Sequence, residues 1–316
     1  MIQDATLPLF PILPVGRPAP DVEALRRRAG VEYFDLAVRE LLNRCDAPNL
    51  PFEWTINPYR GCEFGCVYCY ARYTHGFLEL GDPLEFERKI FVKREAAEKL
   101  RRRLRKSDLR GSSIALGTAT DPYQPAERHH GVTRSLLEVF AGAEGLNLSL
   151  TTKSPLILRD LDLLQELDRR HSVEIHVTVT TLDAALAREL EPAAPDPAAR
   201  LRTVARLAES GLAVTINCMP VMPGINDGEE SLAPLFAAAT EAGARDVHQQ
   251  ALFLRAASRK TFFPWLADRF PHLVGLYRRL YSRGDYLDAA ARDQLLATFR
   301  RLRLQHGMPR ALPARP

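Results

Sequence analysis

The chain has 316 residues, 46% hydrophobic and 26% charged, with 43 Lys and Arg against 39 Asp and Glu for a net charge of +4. That composition suits an ordinary soluble globular protein with chain enough for a large core, and the mild charge neither demands nor forbids a polyanionic partner. No run of about 20 apolar residues exists, which excludes a membrane helix, and the opening MIQDATLPLFPILPVGRPAP lacks the basic segment and apolar core of a secretion signal, so a cytoplasmic protein is expected.

Residues 1–52 read as an arm. Its prolines (Pro8, Pro11, Pro14, Pro18, Pro20) favour an extended chain, and a helix is predicted over Asp35–Arg44, closed by Pro48 and Pro51. From Trp54 onward short apolar or β-branched runs alternate with amphipathic segments. Strands are predicted at Trp54–Pro58, Ser113–Gly117, Leu146–Thr152, Val173–Thr180, Ala213–Val221 and Val247–Leu254. Helices are predicted near Arg94–Lys106, Thr133–Ala141, Leu158–Arg170, Arg200–Ser210 and Glu229–Glu241, with Gly211 and Gly243 placed for left-handed caps. Six strand–helix repeats with right-handed crossovers give an α/β fold, a partial (βα)6 barrel of the TIM type over residues 53–255; an open doubly wound sheet is the competing architecture. Residues 256–316 are aromatic and basic and read as a helical C-terminal cap, with helices over Pro271–Tyr281 and Ala289–His306.

Cysteine carries the strongest signal. Of five, Cys62, Cys66 and Cys69 fall within eight residues; Cys45 and Cys218 stand apart. An odd total without a secretion signal argues against a disulfide framework and for metal. The three occur in Asn57-Pro-Tyr-Arg-Gly-Cys62-Glu-Phe-Gly-Cys66-Val-Tyr-Cys69-Tyr-Ala-Arg72, after the first strand of the repeat, where barrel enzymes place their chemistry. Thiolates suit zinc or iron–sulfur centres. A structural zinc site needs four ligands, and only His75 offers itself as a fourth, whereas a four-iron cluster on three cysteines leaves one iron open.

The Cys-x3-Cys-x-aromatic-Cys loop, with KIFVK, ALGTATDPYQPAE, TTKSPLILRDLDLL, VTVTTLD, EPAAPDPAARL and PVMPGIND in consistent order over residues 54–228, resembles the radical S-adenosylmethionine (SAM) superfamily, in its spore photoproduct lyase-related branch. The resemblance implies a 4Fe-4S cluster on Cys62, Cys66 and Cys69 whose open iron is chelated by SAM. One-electron reduction then releases a 5′-deoxyadenosyl radical that abstracts hydrogen from a substrate, and a low-potential donor such as flavodoxin or ferredoxin is required. It also assigns the SAM pocket. Tyr68 matches the aromatic near the adenine. Gly117, Thr118, Ala119, Thr120 and Asp121 lie where the family binds the methionine amino group. Lys153 resembles the cation meeting the SAM carboxylate, with Arg200 a second candidate. Thr178, Thr180 and Thr181 are placed for the ribose, and Asn226 lies in the stretch that passes the adenine.

The substrate end is less defined. The lyase repairs DNA and takes its hydrogen-donor cysteine from near the end of the second strand, where this chain has none. Tyr70 matches a tyrosine that assists radical return, and Cys218 is a substitute donor if it points into the barrel; a buried core cysteine is the plainer reading. His248, Gln249 and Gln250 in the sixth strand suggest a polar pocket wall, with at most two facing inward. Basic residues at 88–110, and Arg278, Arg279, Arg283, Arg300, Arg301 and Arg303 interleaved with Tyr277 and Tyr281, make a nucleic-acid substrate a hypothesis. Two alternatives stand beside the radical enzyme on DNA or RNA: a nucleic-acid-binding protein with a structural or redox-sensing cluster, and radical modification of a small molecule or peptide.

Overall fold

A computed structural model describes residues 26–28, 30–47 and 50–308; the prolines up to Pro20 lie outside them. The strands in chain order are β1 (Arg26–Arg28), β2 (Val31–Asp35), β3 (Asn43–Arg44), β4 (Trp54–Ile56), β5 (Tyr59–Arg60), β6 (Lys89–Val92), β7 (Ser113–Leu116), β8 (Asn147–Thr152), β9 (Ser172–Thr178), β10 (Ala213–Val221) and β11 (Asp246–Ala251). The helices are α1 (Glu85–Arg88), α2 (Ala96–Lys106), α3 (Glu127–His130), α4 (Val132–Ala141), α5 (Leu161–Arg170), α6 (Ala184–Leu190), α7 (Pro197–Glu209), α8 (Glu229–Glu241), α9 (Ala256–Arg269), α10 (Val274–Leu280) and α11 (Ala289–Gln305). Short 3-10 turns cover Tyr70–Leu78, Pro155–Asp160 and Pro271–Leu273.

The main sheet has seven strands in the order β11-β10-β9-β8-β7-β4-β3. Six are parallel, and β3 pairs antiparallel with β4 at one edge. No pairing joins β11 to β3 among the described residues, so the barrel is partial. The helix expected over Asp35–Arg44 does not form. Leu36 and Val38 are buried two residues apart, at strand spacing rather than helical spacing, and Asn43 is spent pairing with Thr55.

Register divides the sheet into an apolar and a polar face. Ile56, Leu116, Leu150, Ile175 and Val214 form one row of paired residues across five strands, each at most 1% exposed. They belong to the core cluster that also holds apolar residues of α2, α4, α5, α7 and α8. Each such side chain contributes roughly 1.5–3 kcal/mol by leaving water. The neighbouring row, Thr151, His176, Thr215 and Asp246, points to the other side and is polar. In these rows the strands are therefore apolar on the helix-covered side and polar on the other.

A second sheet, β1-β2-β6-β5, flanks the cysteine loop. The C-terminal region is helical as expected, but it begins with α9, which the sequence conceals: Pro264 sits within it and its buried positions, Ser258, Phe262 and Leu266, are few.

Candidate metal and cofactor site

The cysteine loop leaves the top of β4 and is fastened at several points. Thr120 Oγ1 donates to the Gly61 carbonyl at 2.6 Å, and Gln124 Nε2 donates to the same carbonyl at 3.0 Å. Gln124 Oε1 accepts from the Glu63 amide, and Cys62 N donates to Phe86 O. On the other side, Val67 N donates to Leu190 O, Ala193 N to Phe64 O, and Thr261 Oγ1 of α9 to Val67 O. Buried Arg72 donates to the carbonyls of Cys66 and Pro83 and pairs with Glu87. Asn57, at the start of the motif, donates to Thr118 Oγ1 and accepts from Ala119 N, joining the loop to the end of β7.

Gly61 has φ +86°, and a Cβ there would lie 2.7 Å from Lys89 O and 2.8 Å from Phe86 O. Both are backbone atoms and cannot swing aside. Gly61→Ala is expected to cost about 2–3 kcal/mol and to displace Cys62. A urea midpoint unchanged from wild type would contradict this.

Cys62 and Cys66 are buried and Cys69 half-buried, in an apolar setting made by Phe64, Phe86, Leu190, Phe262 and Leu252. Burial pushes all three thiols up, Cys66 to about 12, although Lys153 acts on Cys66 in the opposite sense. Without metal these groups hold their protons, and a metal centre has to displace them. Among the described residues no three Cys, His, Asp or Glu side chains converge tightly enough to ligate a single ion. A cluster asks less, because each thiolate binds a different iron; three soft donors on one short loop in an apolar pocket fit such a group. His75 is not a fourth ligand here. Its ring packs against Phe86 and Phe91, and its Nε2 is in contact with Lys89 O at 3.0 Å.

Beside the loop lies a buried charged network centred on Glu191, a residue the motif analysis passed over. Tyr68 Oη and Thr180 Oγ1 donate to its Oε1, Lys153 Nζ stands 3.8 Å from the same oxygen, and Arg200 pairs with Oε2 at 2.5 Å. Burial would raise the Glu191 carboxyl, but Arg200 and Lys153 outweigh it and hold it below its ordinary 4.5. Arg200 is fully engaged, donating also to Pro195 O and Thr178 O. Lys153 is not: its ammonium has the long contact to Glu191 and lies 5.9 Å from the Tyr68 ring centroid. Glu191 opens the segment EPAAPDPAARL, and a glutamate nine residues before an arginine across three prolines was the available signal.

The strand-end residues divide in two. At Gly117 (φ +87°) a Cβ would lie 2.6 Å from Thr151 O, and Asp121 accepts from Thr152 Oγ1, Tyr123 N and Lys153 N. Asp121 thereby fixes Lys153. Thr118, Thr120, Thr178 and Thr180 surround the same end of the sheet, with Thr181 buried just beyond. Asn226 bonds Thr180 O, Pro220 O and Met222 N, so all three of its bonds brace the loop after β10. Tyr70 donates to Thr118 O, and its ring lies 6.0 Å from Phe253.

Cys218 is not brought to this group. It belongs to the helix-covered core with Val214 and Ile216, is fully buried, and has Sγ 3.9 Å from Thr180 O. Tyr277 and Tyr281 are buried as well, with hydroxyls on Pro223 O and Leu252 O, so neither presents a face to a base. Arg301 and Arg303 are consumed by Glu229 and Asp246. Of the polar triplet in β11, His248 faces the polar side, with its ring 5.7 Å from that of His176, while Gln249 pairs in register with core-facing Cys218.

The family model of the radical SAM superfamily matches residues 56–234. An uncharacterized protein of Mycobacterium tuberculosis is 37% identical over 267 residues, covering 84% of this chain and 78% of the relative. One from Methanocaldococcus jannaschii is 28% identical over 200 residues, covering 63% and 71%. Among solved structures, spore photoproduct lyase complexed with dinucleoside spore photoproduct matches with a TM-score of 0.65 at 15% identity, covering 87% of this chain and 79% of that one. A lyase variant with bound AdoMet matches with a TM-score of 0.64 at 15% identity, covering 85% and 77%. The fold is therefore that of spore photoproduct lyase, and the chain belongs to the radical SAM superfamily.

Proposed function

We propose that this protein reductively cleaves SAM at a 4Fe-4S cluster held by Cys62, Cys66 and Cys69, generating a 5′-deoxyadenosyl radical for hydrogen abstraction. The observation that carries the reading is the juxtaposition of three thiols, two buried and one half-buried, on one clamped loop with the Lys153–Glu191–Arg200–Tyr68 network. The cluster, when bound, supplies the electron, which reaches it from a low-potential donor such as flavodoxin or ferredoxin.

The chain's own groups position SAM. Lys153, with donors to spare, meets the carboxylate, and Arg200 acts through Glu191 by holding that network in place. Thr118, Thr120 and the backbone of Gly117–Asp121 receive the amino group. Tyr68 packs by the adenine with Asn226 bracing the loop beyond, and Thr178, Thr180 and Thr181 line the ribose side. Tyr70, half-buried above Thr118, is the candidate to relay hydrogen. Cys218 could serve as donor only if the strand turned its inner face, which its core packing opposes. Anaerobic reconstitution followed by SAM, dithionite and quantification of 5′-deoxyadenosine tests the reading; no release from a cluster-loaded protein would overturn it.

For the substrate, the reading favoured is a single-stranded nucleic acid. Its support is a strip of cations and aromatics beside Tyr70: Arg255 lies 4.2 Å over the Tyr73 ring and 6.0 Å from Phe253, and Phe253 packs at 4.6 Å on Tyr286, which is 54% exposed. Base stacking on such a strip contributes about 1–3 kcal/mol per aromatic. Fluorescence anisotropy with a labelled oligothymidylate at 50 mM salt should show salt-dependent binding, weakened about tenfold or more in Tyr286→Ala. Binding equal in wild type and variant would remove this strip from the interface.

A further inference from the structure

Apart from the thiols and the Glu191 network, two cations are buried together without a counter-charge among the described residues. Lys93 is 6% exposed and Arg60 5%. Tyr59 and Arg60 of β5 pair antiparallel with Val92 and Phe91 of β6, and Lys93 N donates to Pro58 O, continuing the ladder by one step. Alternation puts Arg60, Phe91 and Lys93 on one face, with the two cations as diagonal neighbours. Phe91 stacks on Phe34 at 5.3 Å and clusters with Leu36, Val38 and Leu78, which makes the surroundings of the pair apolar; Glu32 and Lys89, the latter paired with Glu85, lie further along the same face.

The partners are few. Arg60 donates to Thr74 O at 3.3 Å and lies 5.9 Å from the Phe77 ring centroid. Among the described residues Lys93 has neither a side-chain hydrogen bond nor an ion pair, and Arg60 is the one charge acting on it. The titratable groups on the 3-10 turn are Tyr70, Arg72, Tyr73 and His75, none of them an anion at neutral pH. Burial, with repulsion from Arg60, pulls the Lys93 amine down to about 7, and burial pulls Arg60 to about 10. An uncompensated buried cation costs several kcal/mol. An apolar residue at either position would avoid that cost, so the pair asks for an anion from beyond the described residues.

We propose that Lys93 and Arg60 form a binding site for a tetrahedral oxyanion of the sulfate or phosphate class, separate from the cluster and its SAM pocket. Two adjacent cations match the double charge of such an ion, and the guanidinium supplies paired donors to its oxygens. The ion is either free or the phosphate of a larger ligand crossing the neighbouring Tyr73–Arg255 strip. The site does not depend on the radical chemistry, and its test involves neither SAM nor reductant.

The probe is sodium sulfate, whose charge is constant from pH 6 to 9, titrated calorimetrically into the full-length, cluster-loaded protein at fixed ionic strength. Below about 5 mM its general salting-out effect is negligible. One site is expected, at least tenfold weaker at pH 9 than at pH 6, because only the protonated amine attracts the anion. Lys93→Met should lose that site while keeping wild-type stability or better, since an uncompensated charge is removed. Lys93→Arg should retain it and lose its pH dependence. An oligothymidylate that displaces sulfate identifies the phosphate of a polymer as the occupant; one that does not identifies a free ion. Sulfate binding unaltered in Lys93→Met, no binding at all, or destabilisation of Lys93→Met by more than about 2 kcal/mol in sulfate-free buffer would each overturn the proposal.

Discussion

Cys69→Ala, reconstituted anaerobically with iron and sulfide, is expected to release no 5′-deoxyadenosine from SAM and dithionite under conditions where wild type does. Cys62, Cys66 and Cys69 are three thiols on one loop, and among the described residues no fourth ligand stands near to substitute: His75 is wedged between Phe86 and Phe91. Removing one therefore leaves two donors, too few to retain the cluster. Cys69 is the thiol to test, being only half-buried, so truncation creates little cavity. The control is Cys45→Ala, in the arm, which should release the nucleoside at the wild-type rate. Equal release from Cys69→Ala and wild type would mean that the loop does not hold the reactive centre.

The second large effect is on stability. Glu191→Gln leaves Lys153 and Arg200 buried with no carboxylate between them, and loss of one partner from such a network costs about 3–5 kcal/mol. Chemical denaturation followed by far-UV circular dichroism would read it as a fall in midpoint. The pH dependence has a definite sign. The Glu191 carboxyl is held below 4.5 in the fold, so its contribution is complete above that value and is lost as pH falls through the lower, folded value. The Gln variant should lack that part of the acid transition. Adding Arg200→Met should recover stability in Glu191→Gln, because the second change removes a charge that the first left unpaired. If the double variant is no more stable than Glu191→Gln, the two residues are not coupled as their 2.5 Å contact requires.

Much of this was legible before any coordinates. Strand–helix alternation predicted the six parallel strands, since a parallel strand covered by helices must bury every second residue, and Ile56, Leu116, Leu150, Ile175 and Val214 announce that row. The cysteine spacing pointed to the loop proposed for the cluster for the same local reason: thiols supplied by one turn are visible in one turn. What escaped depends on distance along the chain. Glu191 looks like any surface glutamate before a proline until β8, α6 and α7 bring Lys153 and Arg200 to it. Cys218 reads equally well inward or outward until register sets it beside Ile216. Tyr277 and Tyr281 resembled a stacking surface because composition does not say which faces are covered. The Asp35–Arg44 segment misled because Leu36, Val38, Leu41 and Leu42 supply apolar residues enough for a helix, while the pairing of Asn43 with Thr55 is non-local.

The bond from Thr261 to Val67 spans 194 positions of the chain, and Gly61 and Glu63 are held by residues about sixty positions onward. The frame of the cysteine loop is therefore complete only once α9 has been synthesised and the segments after β7 and around α6 are in place. Iron delivered to a nascent or C-terminally shortened chain would meet three thiols on a loop lacking part of its frame. The helical cap is therefore no detachable module: trimming or exchanging it would remove a bond that holds the cysteine loop.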